Sequence, residues 1–331
     1  MKKIIISNEN SNVRLDKFLS SFAKASADKK QEVFLNSETT RGEIIRKIKA
    51  GEISVNNKKV KPSYVLRLGD KIISNFSAKG GSASGGQFPI SKKISPNSKI
   101  KIKIIYQDGN IIVVDKPAGV SAHPCKSGEK DTLVNFLVYK FPEIRNIHDD
   151  SKDAELRPGI VHRLDKDTSG VMVITRNMKA FQFLKKLFKE HKVEKKYLAI
   201  VYGKLENKSG IISKPIARAK TYRKQVIAGR KTKTKIREAV THYKVLKEFS
   251  NYSLLEVIPK TGRMHQIRIH LFSIGHPVVG DKIYKLKKVE KIEAPRQLLH
   301  AQSIKFRLFG KNFIFSANIP KDIAIFAGNI D

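Results

Sequence analysis

The sequence predicts an α+β protein: a large domain on a mixed, mainly antiparallel sheet, preceded by a small domain of helices and short strands. Three observations carry this. Beyond residue 100, short apolar strand-like runs outnumber convincing helices and do not alternate with them regularly, which favours an α+β layout over a doubly wound one. The stretch from Ala78 to Gln87 is made almost entirely of Gly, Ser and Ala and cannot build a core, so it reads as a flexible linker. Hydrophobic residues make up 40% of the chain, with 17 Phe, enough for a sizeable core. The expected boundaries are a small domain at 1–75, a linker at 76–99 and a large domain at 100–325.

In the small domain, Leu15, Phe18, Leu19 and Phe22 fall at i, i+3, i+4 and i+7, one face of a helix. A second helix is expected to open at Thr40, with Glu43 at capping-box spacing. Ile44, Ile45 and Ile48 form its apolar side, and Gly51 closes it. Ile53–Val55 then reads as a strand, Asn56-Asn57 as a turn, Lys58–Val60 as a returning strand and Lys71–Ile73 as a last strand.

In the large domain the strand-like runs are Ile102–Tyr106, Ile111–Val114, Val171–Ile174, Tyr197–Tyr202 and Leu254–Ile258. Helices are expected over Thr132–Tyr139, Met178–His191 and Met264–Phe272.

Charge narrows the function classes. Lys and Arg total 66 against 30 Asp and Glu, a net charge of +36, which makes a polyanion the default partner and nucleic acid the first choice. One cysteine, Cys125, excludes a disulfide framework and multi-cysteine metal sites, and it reads as a chance thiol in a loop. No apolar run approaches the roughly 18 residues of a membrane span. The apolar part of the N-terminus is too short for a secretory leader. A cytoplasmic protein is expected.

Four runs could carry chemistry, and each has a plain alternative. Gly159-Ile160-Val161-His162-Arg163-Leu164-Asp165-Lys166-Asp167-Thr168-Ser169-Gly170 is either an ordinary strand–turn–strand connection or a site. Arg163 and Asp165, two apart, fall on the same side of an extended segment, and a buried Asp needs a cationic partner to stay ionised. Pro259 to Leu271 is either an amphipathic helix or a Gly-loop-to-helix anion site, with His265 and Arg268 at i and i+3. Tyr197, in Lys195 to Gly203, is by itself a core tyrosine. Asp115 to Pro124 is a Pro- and Gly-marked loop with no chemistry of its own.

Together the four runs resemble the RluA-type family of RNA pseudouridine synthases, over about residues 100–320. Gly275 to Asp281 and Leu299-His300-Ala301 extend the likeness. Met264, where the family usually has Thr, and Lys285, where Gly is common, depart from it. Residues 12–73, through Arg14-Leu15-Asp16-Lys17-Phe18-Leu19, Thr40-Arg41, Ile48 to Asn56 and Gly69-Asp70, resemble the small α/β RNA-binding domain named after ribosomal protein S-four. The pairing is similar to the branch that modifies large-subunit ribosomal RNA, the RluC/RluD kind.

The resemblance implies conversion of uridine to pseudouridine in a flipped-out nucleotide, with no cofactor and no metal. Asp165 would be the essential carboxylate, as nucleophile or as stabiliser of the sugar. Arg268 would be its ionic partner, and Tyr197 would pack against the base and help remove the C5 proton. Arg163 would hold the flipped arrangement. Asp167 reads as a turn residue, and His162 as a supporting group or a satisfied structural histidine. RNA contacts are expected at Arg263 and His265, at Arg14, Arg41, Lys47 and Lys49 of the small domain, and at Arg218, Arg223 and Lys224. These last three lie in Asn207–Arg237, which holds eleven Lys or Arg and no acid and is expected to form an RNA-gripping arm. Large-subunit ribosomal RNA is the expected substrate, with tRNA second. A non-catalytic RNA-binding or ribosome-assembly factor is the competing class. The protein is expected to be a monomer without a protein partner.

Overall fold

The computed structural model describes residues 2–25, 41–74, 94–124, 129–149, 151, 153–219, 224–230, 232–286 and 292–328. The chain divides into two compact units, Met1–Phe88 and Pro89–Asp331.

The small unit contains β1 (Lys2–Ile5), α1 (Leu15–Ala25), α2 (Arg41–Ala50), β2 (Ile53–Val55) and β3 (Lys71–Ser74). The strands form an antiparallel sheet in the order β1-β3-β2. Leu15 and Leu19 of α1 and Ile44 and Ile48 of α2 are fully buried, packed with Ile53, Val55 and Ile72 of the sheet. The predicted helical faces are therefore the ones that pack. Thr40, the predicted N-cap, lies outside the described residues. Lys58–Val60 is not a strand: after the Asn56-Asn57 turn only Lys58 bridges back to Val55, and β2 pairs with β3 instead. The N-terminal isoleucine run, weighed above only as a leader, is β1.

The large unit contains, in chain order, β4 (Lys103–Gln107), β5 (Ile111–Lys116), α3 (Leu133–Lys140), β6 (Ser169–Thr175), α4 (Met178–Lys189), β7 (Glu194–Tyr202), β8 (Ser209–Ser213) and β9 (Ile216–Arg218). There follow β10 (Gln225–Ile227), β11 (Val240–Glu248), β12 (Tyr252–Pro259), α5 (Gln266–Ser273), β13 (Leu299–Leu308), β14 (Lys311–Ser316) and α6 (Lys321–Ala327). Among the described residues the main sheet runs β4-β5-β6-β13-β7-β12-β11-β8, with β14 also on β13, while β9 and β10 form a separate pair. Every pairing is antiparallel except β6 with β13, which matches the mixed, mainly antiparallel sheet expected. Ile111–Val114 and Val171–Ile174 are buried on both faces, which explains why these strands read as continuous apolar runs rather than alternating ones.

The β6–β13 junction depends on Gly170. Its φ is +119°, and a Cβ there would come within 2.3 Å of the Ala301 carbonyl oxygen. Glycine lets β13 approach the start of β6, directly after the Asp165 loop.

Two boundaries shift. Residues 94–99 are not linker: Ile94 is buried, the Asn135 side chain donates to the Ser95 carbonyl at 2.7 Å, and the Asn97 amide bonds the Asn135 carbonyl. At the other end, Ile323 and Ala327 of α6 are fully buried, so the large unit runs past 325. Helix α5 begins at Gln266 rather than Met264, because His265 takes a left-handed conformation at the N-cap.

Candidate active site

Asp165 sits on the irregular loop before β6. The segment 163–165 is not an extended strand, so strand alternation is not what sets the Arg163–Asp165 relation. The loop is held by its backbone instead. The Thr168 amide bonds the Asp165 carbonyl at 3.1 Å, closing a turn. The Lys166 carbonyl accepts from the Gly119 amide and from Lys116 Nζ, both at 3.0 Å. The Asp167 carbonyl accepts from Arg296 Nη1 at 3.1 Å, and Arg296 is itself clamped by both oxygens of Asp322. Gln297 donates to the Thr168 hydroxyl at 2.8 Å.

Lys116 is completely buried, and its ammonium also donates to the Pro117 and Val120 carbonyls at 2.8 Å each. Burial pushes its pKa down to about 7. One cation thus joins the Pro117–Val120 loop to the Asp165 loop, a role the sequence reading did not assign it.

Opposite the loop, α5 presents Arg268. Its Nη1 donates to Asp165 Oδ2 at 2.8 Å, while Nε and Nη2 form a bidentate pair with Asp281 at 2.6 and 2.8 Å. Asp281 also accepts the Ile283 and Tyr284 amides, so the anchor of the arginine is itself fixed to backbone. Burial opposes the charge on Arg268, but Asp281 and then Asp165 outweigh it and raise its pKa. Gly280 makes this possible: with φ +77°, a Cβ there would meet the Arg296 carbonyl oxygen at 1.9 Å.

His265 stands beside the pair, with Nε2 3.9 Å from Asp165 Oδ2 and Nδ1 3.2 Å from the Tyr284 hydroxyl. Burial lowers its pKa. The Tyr284 hydroxyl also bonds both backbone groups of Gln225 on β10. Through this tyrosine the basic β9–β10 hairpin is tied to the helix that carries Arg268.

A cavity of about 590 Å³ opens over this constellation, lined among others by Arg163, Asp165, Tyr197, Arg263, His265 and Arg268, within the size range of small-molecule and nucleotide sites. The structure therefore gathers the three predicted catalytic residues and three of the predicted RNA contacts in one place. Burial, then the Asp165 charge, raises the pKa of the Tyr197 phenol, so it is neutral at physiological pH. Arg163 is exposed, with Nη1 3.3 Å from His123 Nε2. Arg263 donates from Nε to the Glu238 carbonyl. Its amide, and the Thr261 hydroxyl, are already taken by the Gln266 side-chain oxygen at 3.0 and 2.7 Å. The anion site expected at the start of this helix is thus partly filled by the protein itself.

The other predicted residues have varied surroundings. Arg14 and Arg41 both ion-pair with Asp16. Lys49 is exposed and Lys47 half-buried on α2; Arg218 and Lys224 are exposed on and beside the β9–β10 hairpin. Arg223 and Cys125 lie outside the described residues. His162 is a satisfied structural histidine: its Nε2 accepts from the Val173 amide at 2.9 Å and its ring stacks on Phe188.

Sequence reasoning missed Asp281 and Tyr284 as site residues, although both fall in or next to a run quoted for the likeness. No local pattern separates an Asp after Gly from a turn residue. It missed Lys116 and Arg296 because their work is done on backbone carbonyls far away in sequence.

A buried arginine holding a carboxylate that is 18% exposed, beside a neutral tyrosine and among basic side chains, makes a cleft whose charge suits a nucleic-acid component. Comparison with known proteins gives the particular class. The family model of RNA pseudouridylate synthase matches residues 110–273, and that of the S4 domain matches 34–72. Ribosomal large subunit pseudouridine synthase D of Borreliella burgdorferi is 39% identical over 239 residues, covering 70% of this chain and 69% of that one. An uncharacterized RNA pseudouridine synthase of Bacillus subtilis is 32% identical, covering 99% and 97%. Among solved structures, human RNA pseudouridylate synthase domain containing 1 matches with a TM-score of 0.54 and 27% identity, over 68% of this chain and 86% of that one. The chain belongs to the RNA pseudouridine synthase family, and it is an enzyme of that activity with an S4 domain.

Proposed function

We propose that this enzyme isomerises specific uridines to pseudouridine in large-subunit ribosomal RNA, with Asp165 as the essential carboxylate. The observation that carries the reading is the Asp165–Arg268–Asp281 chain of ion pairs on the floor of the cavity. Arg268 occupies Asp165 Oδ2, while Oδ1 has no hydrogen bond among the described residues. That oxygen is the one available to the sugar carbon C1′, where the N-glycosidic bond breaks and the carbon–carbon bond forms.

Tyr197 supplies a flat, neutral face for the flipped uracil. The N1–C1′ bond breaks, the base rotates, C5 bonds to C1′, and the proton lost from C5 is balanced by one gained at N1, so the product is an isomer of the substrate. Arg163 and His265 border the same space and hold the nucleotide in its extruded position. The exposed basic side chains of the β9–β10 hairpin contact phosphates and set affinity rather than sequence choice.

The substrate assignment draws on relatives named ribosomal large subunit pseudouridine synthase D. The protein is proposed to work in the cytoplasm as a monomer. Among the described residues no helix is long and apolar enough to cross a membrane. Mapping pseudouridine in ribosomal RNA and tRNA from cells with and without the gene tests the reading. Loss of one or more sites in large-subunit RNA is expected. Loss confined to tRNA would reassign the substrate, and no loss at any position would end the proposal.

A further inference from the structure

Lys195 lines the same cavity as Asp165 and Tyr197 but takes no part in the chemistry above. It lies two residues before Tyr197 on β7, so the two side chains share a face of the strand. Three lysines near it are paired: Lys192 with Glu190 at 2.8 Å, Lys196 with Glu256 at 3.2 Å, and Lys185 with Asp149. The Lys195 side chain, half-buried, has no hydrogen bond, ion pair or ring contact among the described residues.

Its surroundings leave the charge uncompensated. The ammonium lies against the Lys260–Met264 loop, 4.0 Å from where a Cβ on Gly262 would sit, and that loop places no carboxylate there. Burial, with no carboxylate to offset it, lowers its pKa to about 8, and its charge helps keep the adjoining His162 neutral. A partly desolvated cation without a counter-ion costs stability.

We infer that Lys195 is a phosphate-binding residue: its ammonium takes a phosphodiester of the bound RNA strand next to the uridine held over Asp165. The inference rests on the proposed function, because it takes RNA to be what fills the cavity. The phosphodiester is the anionic part of RNA, and a compact ammonium suits a single phosphate oxygen as a point charge. The desolvation cost in the free enzyme is then offset only when RNA is bound. This gives a binding contact at the cavity wall, distinct from the exposed lysines of the hairpin.

The test uses the full chain and transcribed large-subunit ribosomal RNA, comparing wild type with Lys195→Gln and Lys195→Arg. Wild-type pseudouridine formation on this RNA comes first; its absence would count against the proposed substrate and leave the Lys195 comparison to be run on the RNA that is modified. With turnover established, Lys195→Gln is expected to weaken binding about tenfold, as for loss of one charge-assisted hydrogen bond. The slope of log affinity against log salt should fall by about 0.7–0.9. At saturating RNA, kcat should be retained, and Lys195→Arg should restore both affinity and slope. Thermal unfolding of Lys195→Gln should occur no lower than in wild type, because an unpaired buried charge has been removed. An unchanged salt slope, or a lowered unfolding temperature accompanying the loss of binding, would overturn the inference.

Discussion

The two units each bury an Asp–Arg cluster, and the clusters are opposites. In the small unit one carboxylate, Asp16, with a side chain only 1% exposed, lies between Arg14 and Arg41, whose side chains are 45% and 51% exposed. In the large unit one guanidinium, Arg268, 4% exposed, lies between Asp281 at 0% and Asp165 at 18%. The first cluster hides its lone charge and leaves the duplicated charge in water. The second hides the lone charge and one partner, and leaves the other partner facing the cavity. The difference separates a staple from a site: Asp16 is saturated, whereas Asp165 is positioned through one oxygen only.

The largest expected effect breaks the second cluster at its open end. Asp165→Asn should reduce pseudouridine formation on the order of a thousandfold or more while RNA affinity is preserved, read by single-turnover assay and filter binding. An active Asp165→Asn enzyme would remove the distinction between the clusters.

Next comes the hidden anchor. Asp281→Asn keeps the acceptor for the Ile283 and Tyr284 amides but deprives Arg268 of its bidentate partner. A displaced Arg268 misplaces Asp165, and misplacement on the ångström scale costs about a hundredfold in rate. The loss is expected in kcat, with RNA affinity little changed. Steady-state kinetics on the same RNA would show it, and wild-type kcat would make Asp281 dispensable.

Breaking the small-unit cluster should affect stability rather than rate. Asp16→Asn removes the shared partner of two arginines that can turn to solvent, so the cost is about 1–3 kcal/mol of stability in that unit. The kcat at saturating RNA should stay unchanged. Denaturant unfolding and turnover, measured side by side, separate the two readouts.

The smallest effect distinguishes the units by pH. Burial lowers the pKa of His162 to about 3 and of His123 to about 4, from 6.5. In the unfolded chain these rings protonate first as the pH falls, so the large unit loses stability from about pH 6.5 downward. Burial works against the charge of Asp16, but Arg41 and Arg14 outweigh it and hold its carboxyl below the ordinary 3.8. Its contribution is therefore complete above 3.8 and is lost only below that. Amide exchange followed through mild acid should show protection falling first in β5 and β6 and only later in α1 and α2. Simultaneous loss would mean the histidines are not what makes the large unit acid-sensitive.

What was legible in the sequence follows from how local each cause is. The apolar faces of α1 and α2, the start of α3 at Thr132 and the buried β5 and β6 depend on patterns within a few residues. Asp165 and Arg268 were legible because each sits in a long, specific run. Asp281, Lys116 and Arg296 were not, because their partners lie 13, 50 and 129 residues away in the chain. Local reading failed at Lys58–Val60 and at residues 94–99, where long-range pairing decided the outcome.

The way the Asp165 loop is anchored bears on how the enzyme can vary. Lys166 and Asp167 are held through their carbonyl oxygens, which every amino acid carries. The Lys166 side chain is exposed and takes no part in that anchoring, whereas the Asp167 carboxylate helps keep the buried Lys116 ammonium charged. An exchange at 166 leaves that backbone clamp in place, whereas an exchange at 167 also removes a charge that supports Lys116. The loop thus offers one position, beside the proposed catalytic carboxylate, where the side chain can be exchanged while the backbone clamp stays.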